Sequence, residues 1–198
     1  MQPSKSLSVR FQEWLSPFVY LSNNPLSLIG VVLVTTAPFV GHSGVAARQV
    51  ESAAEMLAAV REELDGAHLL VMVAAVADFR PARAATGKIR REETESLELK
   101  LEKNVDILVE LGRDGRAEGV FRVGFAAEDA DLEQHATEKL ARKKLDAIVA
   151  NDIRGGVFGS DENAGVMFFR TGERLELPRS SKRQMAERIL DAVRERLP

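Results

Sequence analysis

Short, wholly apolar runs alternate with amphipathic stretches along most of the chain, as expected of strands buried on both faces of a sheet and the helices that cover them. The predicted strands are Val31 to Thr35, Leu69 to Ala75, Val120 to Phe125 and Asp146 to Ala150. Between the first two, Ser52 to Leu64 places Met56, Leu57, Val60 and Leu64 on one face, and its opening Ser-Ala-Ala-Glu predicts a capping box of Ser52 and Glu55. A short helix is expected from a cap at Asn104 through Leu111, closed by Gly112. Asp131 to Lys144 is the next long helix, with Leu132, Ala136, Leu140 and Ala141 inward. The last runs from Lys182 to Leu197, with Ser181 and Gln184 spaced as a second capping box and a stripe of Met185, Ile189, Val193 and Leu197.

Two segments break the alternation. Leu97 to Leu101 has period two, so one face is expected wet, near a sheet edge. Val166 to Phe169 and Arg174 to Leu177, joined around Thr171-Gly172-Glu173, predict a β-hairpin. The sum is a three-layer α/β fold: a doubly wound, mainly parallel, Rossmann-like sheet with an antiparallel hairpin added. No internal repeat or low-complexity linker divides it, and residues 31–198 are read as a single domain.

Composition narrows the function. With 198 residues and 45% hydrophobic content the chain can fill one sizeable core. The 27 basic and 30 acidic side chains nearly cancel, with a net charge of -3, which argues against a nucleic-acid partner because such binding relies on a basic face. The absence of cysteine removes disulfides, thiol nucleophiles and thiolate zinc sites, and suits a cytoplasmic protein. The apolar run from Leu28 to Val34 is too short to span a bilayer, so neither a membrane segment nor a signal peptide is expected.

Candidate chemistry gathers at the predicted strand ends, where open α/β sheets bind ligands. Asp78 follows Ala74-Ala75-Val76-Ala77 and could hold magnesium or a polar substrate; a turn-capping role is as good a reading from spacing alone. The cluster Lys88-Ile89-Arg90-Arg91 could neutralise a triphosphate, against which stands a solvated loop, favoured by Glu92, Glu93 and Glu95 just downstream. Thr86-Gly87-Lys88 lacks the upstream glycine and following hydroxyl of a P-loop. Phe125, between small residues, could pack on a nucleobase or simply fill the core. Lys139 and Lys143, four apart, share a helix face that is either phosphate-directed or ordinary charged surface. Asn151 ends a strand, where Asn usually serves a turn. His42, His68 and His135 have no metal spacing and receive no role.

Six words in order resemble the phosphopantothenoylcysteine synthetase family: Ala-Ala-Val-Ala-Asp-Phe-Arg-Pro at 74–81, Lys-Ile-Arg-Arg at 88–91, Lys-Asn-Val-Asp-Ile-Leu at 103–108, Gly-Phe-Ala-Ala-Glu at 124–128, Lys-Leu-Asp-Ala-Ile-Val-Ala-Asn-Asp at 144–152, and Phe-Gly-Ser-Asp-Glu-Asn at 158–163. The resemblance implies a cytoplasmic, homodimeric ligase of coenzyme A biosynthesis. It implies activation of 4'-phosphopantothenate by CTP, with Mg2+, to an acyl-cytidylate, and then amide formation with cysteine. No flavin is expected in this chain, and a separate phosphopantothenoylcysteine decarboxylase would be a partner. By position, the resemblance makes Lys88 the lysine of the activation step. It assigns Met72, Val73, Ala74, Asp78, Lys88, Asn104, Val105, Asp106, Ile107, Phe125, Lys139 and Lys143 to the nucleotide, and Asn23, Ala74, Ala75 and Asp78 to phosphopantothenate. Asp78 is the metal candidate.

Residues 1–30 diverge. Tyr20-Leu21-Ser22-Asn23 matches the family, which makes Asn23 the asparagine that handles the acyl-nucleotide, yet Val19 stands where the family has arginine. Asn24 to Gly30 keeps no Ser-Gly-Lys of the family's glycine loop, and the family's first strand and helix have no counterpart. Val105 replaces a usual proline. An active ligase is the first expectation, and a catalytically incomplete remnant or CTP-binding, dimerising subunit the alternative. A pyridine-nucleotide enzyme is a distant third, since no G-x-G-x-x-G follows a strand.

Overall fold

A computed structural model describes residues 31–36, 45–83, 87, 89, 96–128, 131–152 and 161–197. The fold is built on a five-stranded sheet in the order β3 (Leu69–Met72), β6 (Phe121–Glu128), β7 (Ala147–Asp152), β8 (Glu162–Phe169), β9 (Arg174–Ser181). Strands β3, β6 and β7 pair in parallel, whereas β7, β8 and β9 pair antiparallel. The sheet is therefore evenly mixed rather than mainly parallel, because the predicted hairpin extends to eight residues per strand.

Helices cover both faces, as the apolar runs require. On one side Met185, Ile189, Ala192 and Val193 of α4 (Lys182–Arg194) pack on Val123, Ala147, Val149, Met167, Phe169 and Leu177. On the other, Ala136 and Leu140 of α3 (Leu132–Arg142) join Leu145 over Ala126, Ile148, Ala150 and Phe168. A third cluster joins α1 (Ala53–Glu63) to α2 (Ile107–Arg113) through Met56, Leu57, Val60, Ile107 and Leu111, with Leu70, Met72 and Ala74 packed against it. Each buried leucine-sized side chain contributes roughly 1.5–3 kcal/mol relative to exposure.

Several local expectations are corrected. Val31 to Thr35 does form β1, but it pairs in parallel with β2 (Val45–Gln49) in a separate two-stranded sheet, and Val32 is 41% exposed. β2 was not legible because Val-Ala-Ala-Arg-Gln lacks a β-branched alternation. β3 stops at Met72, opposite Gly124, so Val73 to Ala75 lies beyond the sheet. The cap of α2 is Asp106, whose carboxylate accepts from the Val109 N–H at 3.3 Å, and not Asn104. Gly112 lies inside α2, and the left-handed turn beyond the helix falls at Gly115, φ 70°. Leu97 to Lys100 is not strand; β5 is Leu101–Lys103, paired antiparallel with β4 (Phe79–Pro81). Both predicted serines cap their helices. Ser181 and Gln184 form a full box, while the Glu55 carboxylate accepts from Glu51 N–H at 2.9 Å, one residue earlier than expected.

Arg196 fastens the end of α4 to the hairpin. It stacks 4.1 Å from the centre of the Phe169 ring, donates to Ala192 O at 2.8 Å and pairs with Glu173 at 2.9 Å. The Arg196 guanidinium holds the Glu173 carboxyl below its ordinary value of 4.5, and backbone donation from Glu51 lowers Glu55 similarly. A depressed folded-state pKa gives stability that is present above the unfolded value and is lost as pH falls through the folded one. The thermal midpoint should therefore decline as pH is lowered from about 5 to about 3, and Glu173→Gln should flatten part of that decline in melts followed by circular dichroism. An unchanged slope in the variant would remove the Glu173 contribution.

Candidate functional site

Because β3, β6 and β7 are parallel, their carboxyl ends open at one edge of the sheet. Met72 is the last residue of β3, and the chain then leaves the sheet through Val73, Ala74 and Ala75 to Asp78. Ala74 is half-buried against the α1 and α2 cluster, whereas Ala75 and Asp78 are exposed.

Asn104 holds this loop in place. Its backbone N–H donates to Asp78 O at 2.7 Å, its Nδ2 donates to Ala77 O at 3.1 Å, and its Oδ1 accepts from Val105 N–H at 3.1 Å. An amide suits this place because it donates from one atom and accepts at another. Cross-linking two loops at a strand end fixes Asp78 beside the start of α2. Sequence reading took Asn104 for the helix cap; in Asn-Val-Asp either polar residue can cap, and the alternative use for Asn104 depends on a loop distant in sequence.

Asp106 is shared between two duties. Oδ1 caps α2, and Oδ2 pairs with Lys143 Nζ at 3.1 Å, with the Lys143 side chain 22% exposed. This cross-helix pair brings together two of the residues singled out from sequence. Ile107 is 3% exposed and Val105 packs on the α1 and α2 cluster, so both side chains serve the core.

Phe125 lies on the opposite face. It packs partly against the α4 cluster, and along β6 it alternates with Gly124 and Ala126, which face α3. A Cβ on Gly124 would stand 2.6 Å from Leu145 Cδ1 and 3.4 Å from Leu108 Cδ1. The smallness of that residue therefore serves core packing. Lys139 is half-buried on α3 in a groove with His135, Glu138, Ala141 and Arg142. Lys88 and Asn23 lie outside the described residues; Ile89, inside the basic cluster, is 53% exposed.

Asp78 is the one metal candidate that sequence reading named. Among the described residues no three His, Asp or Glu side chains are grouped to hold a metal ion. A single exposed carboxylate fits a magnesium ion that keeps most of its coordination in water and substrate phosphates, the usual arrangement at nucleotide sites. No described helix is long and apolar enough to cross a membrane.

Comparison with known proteins agrees with the resemblance. The family described as DNA/pantothenate metabolism flavoprotein C-terminal domain matches residues 29–197. Coenzyme A biosynthesis bifunctional protein CoaBC of Bacillus subtilis is 41% identical over 146 residues, covering 73% of this chain and 35% of that protein. Its Vibrio cholerae counterpart is 33% identical over 205 residues, covering 94% of this chain and 50% of that one. The chain thus spans half or less of these relatives' length. The crystal structure of the C-terminal domain of a CoaBC protein superposes with a TM-score of 0.70 at 31% identity, over 90% of this chain and 80% of that one. A Streptococcus pneumoniae DNA/pantothenate metabolism flavoprotein, 17% identical over 98% of this chain and 92% of that one, superposes with a TM-score of 0.71 and supports the fold alone.

The loop cross-link can be tested directly. Asn104→Ala should cost about 1–2 kcal/mol in urea denaturation and speed hydrogen exchange at the Val76 and Val105 amides. Unchanged exchange there would mean that Asn104 does not hold the loop.

Proposed function

Given that the chain belongs to the DNA/pantothenate metabolism flavoprotein C-terminal domain family, we propose that it acts in the cytoplasm as the phosphopantothenate–cysteine ligase of coenzyme A biosynthesis. The observation that carries this reading is the meeting of the family-matched segments at one sheet end. The strand end at Met72 to Ala74, the loop at Asp78, the Asn104 to Asp106 turn and Lys143 are joined there by the Asn104 bonds and the Asp106 to Lys143 pair.

The reaction proceeds in two steps. A carboxylate oxygen of 4'-phosphopantothenate attacks the α-phosphorus of CTP and pyrophosphate departs with the bond electrons. The amine of cysteine then attacks the acyl carbon, loses a proton and displaces CMP. Negative charge grows on phosphorus and pyrophosphate in the first step, so fixed cations contribute most where they face those oxygens. Lys88 is placed by the resemblance at the activating position, and Lys139 and Lys143 supply charge to the nucleotide. Lys143 is held by Asp106 until phosphate competes for it. Asp78 offers the carboxylate for magnesium, which would screen the triphosphate and polarise it. The backbone of Val73 and Ala74 lies beyond the last ladder pairing of β3, Met72 with Gly124, where it can line a ligand.

The second copy of the chain would be held through the β4–β5 ribbon. A two-stranded ribbon is marginal alone, and this one and its flanks expose Phe79 (54%), Ile89 (53%), Leu97 (58%), Leu99 (66%) and Leu101 (53%). Covering such a patch is the ordinary reason for a homodimer. A separate phosphopantothenoylcysteine decarboxylase would supply the following step, since the CoaBC relatives are bifunctional and longer. A second reading, a CTP-binding subunit without ligase activity, is favoured by the lack of a Ser-Gly-Lys loop in residues 1–30.

One assay separates the two. The chain with CTP, magnesium, phosphopantothenate and cysteine should release pyrophosphate only when phosphopantothenate is present, and Lys88→Gln should lower that rate by about 10²- to 10³-fold without shifting the thermal midpoint. CTP binding with no pyrophosphate release would leave the subunit reading standing and the ligase reading without support.

A further inference from the structure

Strand β7 is apolar and sealed from Ala147 to Ala150, each at most 1% exposed, and Asn151 is the first polar side chain at its carboxyl end. In register it sits between Ala127 of β6 and Gly165 of β8, on the face that carries Phe125 one row below. Its Oδ1 is buried and accepts no hydrogen bond, and its half-buried side chain makes no hydrogen bond to any described residue. The other asparagines at this end of the sheet behave differently. Asn104 uses both atoms of its amide, and Asn163, 7% exposed, accepts from Ala164 N–H at 2.9 Å.

Asn151 therefore does not serve the turn that its place in the sequence suggests. An unpaired buried acceptor lowers stability, and an apolar side chain of similar size would remove that penalty. The neighbouring strand also makes room for it: a Cβ on Gly165 would stand 3.1 Å from Asn151 Oδ1 and 2.3 Å from Ala150 O. With Oδ1 buried and unpaired, Nδ2 is the atom of the half-buried amide left to meet a ligand, at the strand end where ligands enter such sheets.

We propose that Asn151 is a binding residue of the same site, donating through Nδ2 to an oxygen acceptor on a phosphorylated substrate. The inference rests on the ligase reading and extends it from the β3 loop to the end of β7. Both CTP and 4'-phosphopantothenate carry such oxygens, and separate titrations tell which one Asn151 meets.

The test measures Michaelis constants for CTP, phosphopantothenate and cysteine, together with thermal midpoints, for the unaltered chain, Asn151→Ala and Asn151→Asp. Loss of a hydrogen bond to a charged oxygen should raise the constant of one phosphorylated substrate roughly tenfold or more in Asn151→Ala. Asn151→Asp, with a carboxylate facing that oxygen, should raise the same constant further. Asn151→Ala should not melt lower than the unaltered chain, because a structural bond is not being broken. An active chain whose constants do not move, or an Asn151→Ala variant that melts lower and weakens all three substrates alike, would overturn the inference alone. An unaltered chain that neither binds CTP nor turns over would sink the ligase reading, and this inference with it.

Discussion

The centre of this fold is a four-residue run of β7 that carries no polar side chain. Ala147, Ile148, Val149 and Ala150 of β7 are covered by α4 on one face and α3 on the other. A polar group anywhere in that run would have to be paired or would destabilise the sheet, so polar chemistry is displaced to the two ends. At the amino end Asp146 takes it up: its carboxylate accepts from Arg122 N–H at 2.8 Å and pairs with Arg170 at 3.2 Å, tying the starts of β6 and β7 to the end of β8. At the carboxyl end no such closure is made by Asn151, whose amide oxygen is left unpaired.

The candidate site lies at the carboxyl end of the parallel strands, where their loops leave the sheet. The apolar sheet positions backbone, and the loops then supply the charge. Asn104 sets the geometry between the β3 exit and the start of α2, while Asp106 and Lys143 match opposite charges beside it. An exposed or half-exposed ion pair of this kind contributes little to folding. In the proposed ligase its consequence is that a phosphate would replace the Asp106 carboxylate at small cost to the fold. The outer ribbon of β4 and β5 has the reverse character, apolar side chains where water reaches them.

Much of this was legible in the sequence because it depends on local periodicity. The Ser52 and Ser181 caps, the helix stripes of α1, α3 and α4 and the buried runs of β6 and β7 follow from side chains a few residues apart. What escaped depends on partners distant along the chain. β2 exists through pairing with β1, Asn104 is used across to Ala77, and the early end of β3 is set by where β6 stops accepting its ladder. The resemblance assigned Asp78, Asn104, Asp106 and Lys143 to the nucleotide among twelve residues, and the geometry brings these four into one connected group. Phe125 lies on the other face of the sheet, so it can join them only over the strand ends. Gly124, one of the small residues beside Phe125, makes room for Leu145.

If this sheet end activates a carboxylate through a mixed anhydride, one carboxylate oxygen must follow the nucleotide when cysteine displaces it. Phosphopantothenate labelled with 18O in its carboxyl group, incubated with the chain, CTP, magnesium and cysteine, should yield CMP carrying a single labelled oxygen by mass spectrometry. Amide product accompanied by unlabelled CMP, or by label in a phosphate or pyrophosphate product instead, would contradict activation of the carboxylate at the α-phosphate.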